Sequence, residues 1–352
     1  MQIQDIFKAA ITSNASDVHI SPGLPPMFRI AGTLTPSQFP QVTSKDSEEL
    51  AYSMITAEQK TTFETKWELD CSYALSGLSR FRVNLFLEKD GIGIAARLIP
   101  TKIPTPEELD LAPALLKFTQ LRNGLVLVTG PTGSGKSTTL AALINSINLE
   151  RSCHIVTVED PIEFTYKHEK SIIHQRELNA HTHSFVEALK HLLRQDPNVV
   201  LVGEMRDLET IAAAITIAET GHLVFATLHT LDSAQTVDRI IDVFPPYQQQ
   251  QIRTMLAGAL KGVVCQQLLP CKDGKSRVAA REVMIVNPAI ACLIREGKTH
   301  QIYNVIQTAR QSGMLTMDQS VLNLLKEGLI SEEVAAASMN DASSLKGGGQ
   351  SW

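Results

Sequence analysis

Eight consecutive residues carry the strongest chemical signal in the chain: Gly130, Pro131, Thr132, Gly133, Ser134, Gly135, Lys136 and Ser137. They fit G-x-x-x-x-G-K-[ST] directly after the apolar run Leu125–Val128, the setting a phosphate-binding loop requires. Glycines let the backbone wrap an anion so that successive N–H groups face it. The helix expected from Thr138 to Ile147 adds its positive N-terminal end. Lys136 is placed to reach the β- and γ-phosphates of a nucleotide, with Thr138 closing the loop, and the Ser137 hydroxyl to ligate Mg²⁺. Phosphoryl transfer to water also needs a group that orients or deprotonates the nucleophile. Glu159, Asp160, Glu163 and Glu204 follow apolar runs that read as strands, and ligands of an open α/β sheet sit outside such strand ends. Glu204 occupies the end of a Walker B strand, with Gly203 where an Asp is usual. Mg²⁺ is therefore expected on Ser137, phosphates and waters, with Glu159 or Glu204 as further candidates acting through water.

His229 ends another apolar strand between Leu228 and Thr230. It is either structural or a contact to a γ-phosphate or the attacking water. His174, His181, His183 and His191 do not have the spacing of a metal-binding pair on one helix. In Arg80-Phe-Arg-Val-Asn-Leu85, Arg80 and Arg82 share one face and Phe81, Val83 and Leu85 the other. With Arg97 on the next strand, that face is either solvated or a set of arginine fingers reaching a phosphate in a neighbouring subunit.

The elements that must position these groups fall into two patterns. Residues 1–100 read as an α+β block. It has an amphipathic helix over 3–11, a helical insert over 44–67 and short strands at 28–30, 71–75, 80–87 and 92–98. Pro100, Pro104 and Pro106 mark a stiff linker over 101–112. From 113 to 285, apolar runs at 125–128, 155–158, 199–202 and 223–226 alternate with helices, which argues for a buried, mostly parallel sheet. Thr210–Thr220 reads as a buried helix stopped by Gly221. Residues 286–342 read as helical, and 343–352 as a disordered tail.

Composition narrows the function. The chain has 352 residues, 43% hydrophobic and 20% charged, with Lys+Arg 32 against Asp+Glu 37. That is room for about two domains. The net charge of −5 gives no electrostatic footprint for nucleic acid. The longest uncharged stretch, Ile30–Ser44, is polar, so no membrane span is expected, and the N-terminus lacks a secretory signal. Five cysteines without C-x-x-C argue against a disulfide framework or a zinc site.

Four ordered motifs now add up to a resemblance. Gly130–Ser137, Glu159-Asp-Pro-Ile-Glu163, Leu201-Val-Gly-Glu-Met-Arg-Asp207 and Gly221-His-Leu-Val-Phe-Ala-Thr-Leu-His229-Thr resemble the Walker A, Asp box, Walker B and His box of the type II/IV secretion ATPases. The similarity runs from Ser16-Asp-Val-His-Ile20 to Gly313-Met-Leu-Thr-Met-Asp318. The resemblance implies a homohexameric ATPase using ATP and Mg²⁺, with a PAS-like N-terminal domain and a RecA-like P-loop NTPase domain. It also implies Glu204 and Glu163 as catalytic acids and His229 as a γ-phosphate contact. Arg80, Arg82 and Arg97 would complete the site. Within the family it implies the retraction class of type IV pili: a cytoplasmic motor at the inner-membrane base of the pilus machine, acting on an inner-membrane platform protein. The P-loop begins too early for the extra N-terminal domain of the extension class, and the four-Cys motif is missing. In Ala289-Ile-Ala-Cys-Leu-Ile-Arg-Glu296, Ala291 and Cys292 replace the Arg-Asn of the retraction motif. The alternative is therefore an accessory retraction ATPase working with a paralogous one. Asn179-Ala-His-Thr182 departs from the family's acidic loop. A RecA-like nucleic-acid translocase and a non-hydrolysing scaffold are the readings from other classes.

Overall fold

The computed structural model describes residues 1–75, 78–100 and 102–340; the tail expected over 343–352 lies outside them. Contacts divide the chain into two units, Met1–Lys102 with Glu163–Thr165, and Ile103–Ile162 with the residues from Tyr166 onward.

The first unit runs α1 (Ile3–Thr12), β1 (Ala15–Ile20), β2 (Met27–Ile30), β3 (Thr33–Pro36), α2 (Ser44–Tyr52), α3 (Ala57–Lys66), β4 (Glu68–Leu75), β5 (Ser79–Glu88) and β6 (Gly91–Ile99). Its sheet has the order β3-β2-β1-β6-β5-β4, with every pairing antiparallel. The helical insert is two helices, because Thr43 with Asp46 and Thr56 with Gln59 each form a capping box that starts a new one. The period of two in β5 does what it predicts: Phe81, Val83 and Leu85 are fully buried, and Phe81 stacks on Phe7 of α1 with ring centroids 4.0 Å apart. Strands β1 and β3 escape the sequence pattern. The face of β1 is polar at Asp17 and His19, and β3 is exposed throughout, so neither shows an apolar period.

The second unit runs α4 (Pro113–Leu116), β7 (Gly124–Thr129), α5 (Lys136–Glu150), β8 (His154–Glu159), β9 (Ile172–Glu177), α6 (Phe185–Leu192), β10 (Val199–Val202), α7 (Leu208–Glu219), β11 (Leu223–Leu228), α8 (Ser233–Asp242), α9 (Pro246–Ala259), β12 (Leu260–Pro270), β13 (Arg277–Ile285), α10 (Pro288–Glu296), α11 (Ile302–Thr308), α12 (Met317–Lys326) and α13 (Glu332–Ser338). Sheet order is β13-β12-β7-β11-β10-β8-β9. All pairs are parallel except β12 with β13. The four apolar runs lie at its centre because both faces are covered. Leu125, Leu127, Val200 and Val202 enter one core, while Val126, Val128, Val199 and Leu201 enter the other. Each fully buried aliphatic side chain contributes about 1.5–3 kcal/mol, which fixes the sheet that carries the loops. Segment 103–112, expected as a linker, belongs to this unit. Leu111 is buried, and the Arg281 guanidinium donates to the carbonyls of Leu109 and Asp110 at 3.0 and 3.1 Å.

Candidate nucleotide-binding site

The order of the central strands puts the turns after β7, β10 and β11 side by side. The turn after β7 is Gly130–Gly135, and α5 starts at Lys136 with Gly135 as its N-cap. Gly130 has φ +138°, and a Cβ there would lie 2.0 Å from the Gln266 carbonyl oxygen. Only glycine fits such a position. Lys136 is 8% exposed, and its Nζ donates to the Gly130 and Pro131 carbonyls at 2.7 and 3.0 Å. Burial pulls its ammonium below the usual lysine range, opposed by the nearby Glu204 carboxylate. The Ser134 hydroxyl is buried without a hydrogen-bond partner. A buried polar group left so is costly unless a ligand satisfies it, and a phosphate oxygen suits a donor inside this loop. Ser137, Pro131, Thr132 and Gly133 are exposed, and Thr138 is half-buried.

Glu204 follows β10. Arg206 Nη2 donates to its Oε2 at 2.7 Å, and His229 Nε2 lies 3.2 Å from its Oε1. The Arg206 hydrogen bond is the main cause that holds this carboxyl below the usual range, against the opposing effect of burial. The loop between them is fixed by β11: Thr227 Oγ1 donates to the Gly203 carbonyl, and Met205 N–H to the Thr227 carbonyl at 3.1 Å. Gly203 has a packing reason. A Cβ there would lie 3.1 Å from Glu159 Cα and 3.2 Å from the Val158 oxygen, so the Asp usual in a Walker B strand would press on the neighbouring backbone.

Glu159, at the end of β8, is 6% exposed and accepts from Thr157 Oγ1 at 2.6 Å. Asp160–Pro161 is a cis peptide bond. Glu163 is exposed and falls with residues 164–165 in the first unit. The structure thus gathers Lys136, Ser134, Glu204 and His229 in the second unit, and the three arginines in the first. Arg82 and Arg97 stand directly opposite each other on β5 and β6. Arg97 Nε donates to Asp17 Oδ1 at 2.8 Å. Arg29 lies 3.6 Å from the other Asp17 oxygen. Arg80 is half-buried and donates to Ser72 Oγ at 2.6 Å. Two like charges opposite one another repel, and one carboxylate on the row relieves only part of that. The pair suits an anion. His174 has its Nδ1 2.9 Å from His154 Nε2, while His181, His183 and His191 line one cavity with Arg176. Among the described residues no group of three or more His, Cys, Asp or Glu is placed to hold a metal ion.

The sequence reading missed Arg206, Thr227 and Gln266. Gln266 on β12 donates to the Ser134 carbonyl at 2.6 Å and accepts from Thr139 Oγ1 at 2.8 Å, bracing the loop from behind.

With this geometry in view, comparison with known proteins is specific. Residues 1–341 match the family of type II/IV secretion system proteins. The chain is 47% identical over 335 residues to the type IV pilus retraction ATPase PilT of Pseudomonas aeruginosa, covering 95% of this chain and 97% of that one. It is 38% identical to the type IV pilus ATPase PilU of the same organism, covering 98% and 91%. A crystal structure of the pilus retraction motor PilT with bound ADP superposes with a TM-score of 0.92 at 44% identity, covering 98% of this chain and 99% of that one. The chain belongs to the type II/IV secretion system protein family.

Proposed function

We propose that the chain is a P-loop motor ATPase that drives retraction of a type IV pilus. The observation that carries the ATPase reading is the group formed by Lys136, the orphan Ser134 hydroxyl and the Glu204–His229 pair at neighbouring strand ends. The retraction reading rests on the likeness to PilT over nearly the whole chain.

In this reading the β- and γ-phosphates of ATP replace the Gly130 and Pro131 carbonyls as partners of Lys136, and the Ser134 hydroxyl gains its missing acceptor. Ser137, an exposed hydroxyl on the first turn of α5, fits Mg²⁺ as one oxygen ligand. Both oxygens of Glu204 are already engaged by Arg206 and His229, so it reaches that ion only through water, as does Glu159. Bound there, Mg²⁺ would neutralise charge on the phosphates. Glu204, kept ionised by Arg206, accepts a proton from the attacking water. His229 holds the water or the γ-phosphate, and Glu163 serves as a second acid. Arg80, Arg82 and Arg97 stabilise charge on the transferring phosphoryl group. They would act across the subunit interface of a homohexamer on the cytoplasmic side of an inner-membrane platform protein. Among the described residues no helix is long and apolar enough to cross a membrane.

Purified chain should hydrolyse ATP, and Glu204→Gln should lower kcat by about 10²-fold or more; unchanged turnover overturns the assignment of Glu204. A strain lacking the gene should carry excess pili and lose surface motility, whereas a bald strain would overturn retraction. The accessory reading keeps one specific observation. Cys292, which stands with Ala291 where the retraction motif has Arg-Asn, donates to Glu296 Oε1 on α10 at 3.2 Å. Near-normal pilus numbers with partial loss of motility would select it.

A further inference from the structure

A short line of hydrogen bonds ties the phosphate loop to the segment by which the chain enters the second unit. Gln266 is 3% exposed. Its Nε2 donates to the Ser134 carbonyl in the middle of the loop at 2.6 Å. Its Oε1 accepts from Thr139 on α5 at 2.8 Å and from Arg281 Nε at 3.0 Å. Its own carbonyl presses against Gly130 at the start of the loop. Arg281 then spends both Nη groups on the chain at the end of segment 103–112, donating to Asp110 and Leu109 carbonyls at 3.1 and 3.0 Å. Its backbone N–H donates to Ser320 on α12 at 3.0 Å. The planar guanidinium fork thus joins Gln266 on β12 to the Leu109–Asp110 carbonyls. A loop that repacks around a phosphate must move the Ser134 carbonyl or load it differently, and Gln266 cannot follow without disturbing Arg281. Packed elements joined this way shift between discrete arrangements rather than bending gradually.

We propose that Gln266 and Arg281 are positioning residues that report phosphate occupancy of the loop to residues 109–110, coupling nucleotide state to the segment by which the chain enters the second unit. The proposal rests on the nucleotide-binding reading above and adds its output path. Neither residue touches the reacting atoms. Both act through the Ser134 carbonyl, and the segment they hold is the stretch of the second unit that follows the first unit along the chain.

Amide hydrogen exchange on the full-length chain, with Mg²⁺ and either ADP or a non-hydrolysable ATP analogue, tests this. In the unmodified protein nucleotide should slow exchange over 130–139 and also change it over 105–116. In Arg281→Lys, which keeps the charge and loses the fork, protection over 130–139 should persist while the response over 105–116 disappears. kcat should fall about tenfold with nucleotide Kd held within about twofold, a split that marks lost coupling rather than lost binding. Gln266→Glu provides a second route if Arg281→Lys does not fold. It keeps the acceptor for Thr139 and Arg281, removes the donor to Ser134, and should uncouple 105–116 in the same way. A response over 105–116 that survives in either folded variant, or that is missing in the unmodified protein, overturns the proposal. Absence of protection over 130–139 in the unmodified protein would instead sink the nucleotide reading itself.

Discussion

Arg206 decides the charge of Glu204, the carboxylate proposed to act on the attacking water. Its hydrogen bond at 2.7 Å is the main cause holding Glu204 below the ordinary carboxylate range. A group whose folded pKa is depressed stays ionised until the pH falls through that lowered value, so the acid limb of kcat/KM should lie at low pH in the unmodified enzyme. Removing the guanidinium lets the Glu204 pKa climb back towards its ordinary value. In Arg206→Ala the acid limb should therefore move to higher pH, with a smaller change on the plateau. An acid limb that stays in place would show that another group sets it. Arg206 also illustrates what a sequence conceals. Lys136, Glu204 and His229 were legible because each follows an apolar strand at a position where chemistry is expected. Arg206 stands two residues from Glu204 inside the Walker B-like motif, where sequence alone gives it no role of its own. Gln266 lies 132 residues from the carbonyl that it holds, and only the pairing of β12 beside β7 brings them together.

Elements confer their own constraint at Gly203. Strands β8 and β10 are parallel neighbours, and Gly203 N–H donates to the Val158 carbonyl at 2.8 Å where they end. An added methyl would sit 3.1 Å from Glu159 Cα, and neither backbone can turn aside as a flexible side chain would. Gly203→Ala should cost about 1–3 kcal/mol of stability. By moving Glu204 it should also lower kcat more than it raises KM. Gly258→Ala in the last turns of α9 is the control. No atom lies within 4 Å of a Cβ there, and the same exchange should gain about 0.5–1 kcal/mol. Thermal melts and steady-state kinetics of the two variants separate a packing role from a general intolerance of glycine substitution. If Gly203→Ala melts like the unmodified protein, the close approach of the strands does not explain the missing Asp. The same elements show where periodicity works. The buried strands β7, β8, β10 and β11 announced themselves by apolar runs of four residues, with Thr157 in β8 their one polar member. The outer strands did not: β9, at the sheet edge, is two isoleucines followed by four polar residues, and the apolar pattern of β12 is broken by Lys261, Gly262 and the Gln266–Gln267 step.

At the scale of the whole molecule, the groups proposed to be catalytic are divided between two units, with Glu204 and Lys136 in one and the arginine row in the other. Arg82 and Arg97 face each other on neighbouring strands, with Asp17 held between Arg97 and Arg29, an arrangement that would gain from a phosphate oxygen brought against it. If that oxygen belongs to nucleotide bound by a different copy of the chain, two inactive variants can repair each other. Arg82→Ala keeps a working Glu204, and Glu204→Gln keeps a working Arg82. Alone, each should hydrolyse ATP slowly, with Arg82→Ala losing kcat more than nucleotide affinity. Mixed in equal amounts and allowed to exchange subunits, a ring closed by head-to-tail contacts has about one interface in four that pairs the two intact residues. Turnover of the mixture should then exceed that of either variant and approach about a quarter of the unmodified rate, provided that sites fire independently. Arginines acting within their own chain give no such gain, because every subunit in the mixture still lacks one of the two groups. The outcome therefore distinguishes a site completed by a neighbour from one completed within the chain, and full activity of Arg82→Ala by itself would remove that residue from the mechanism.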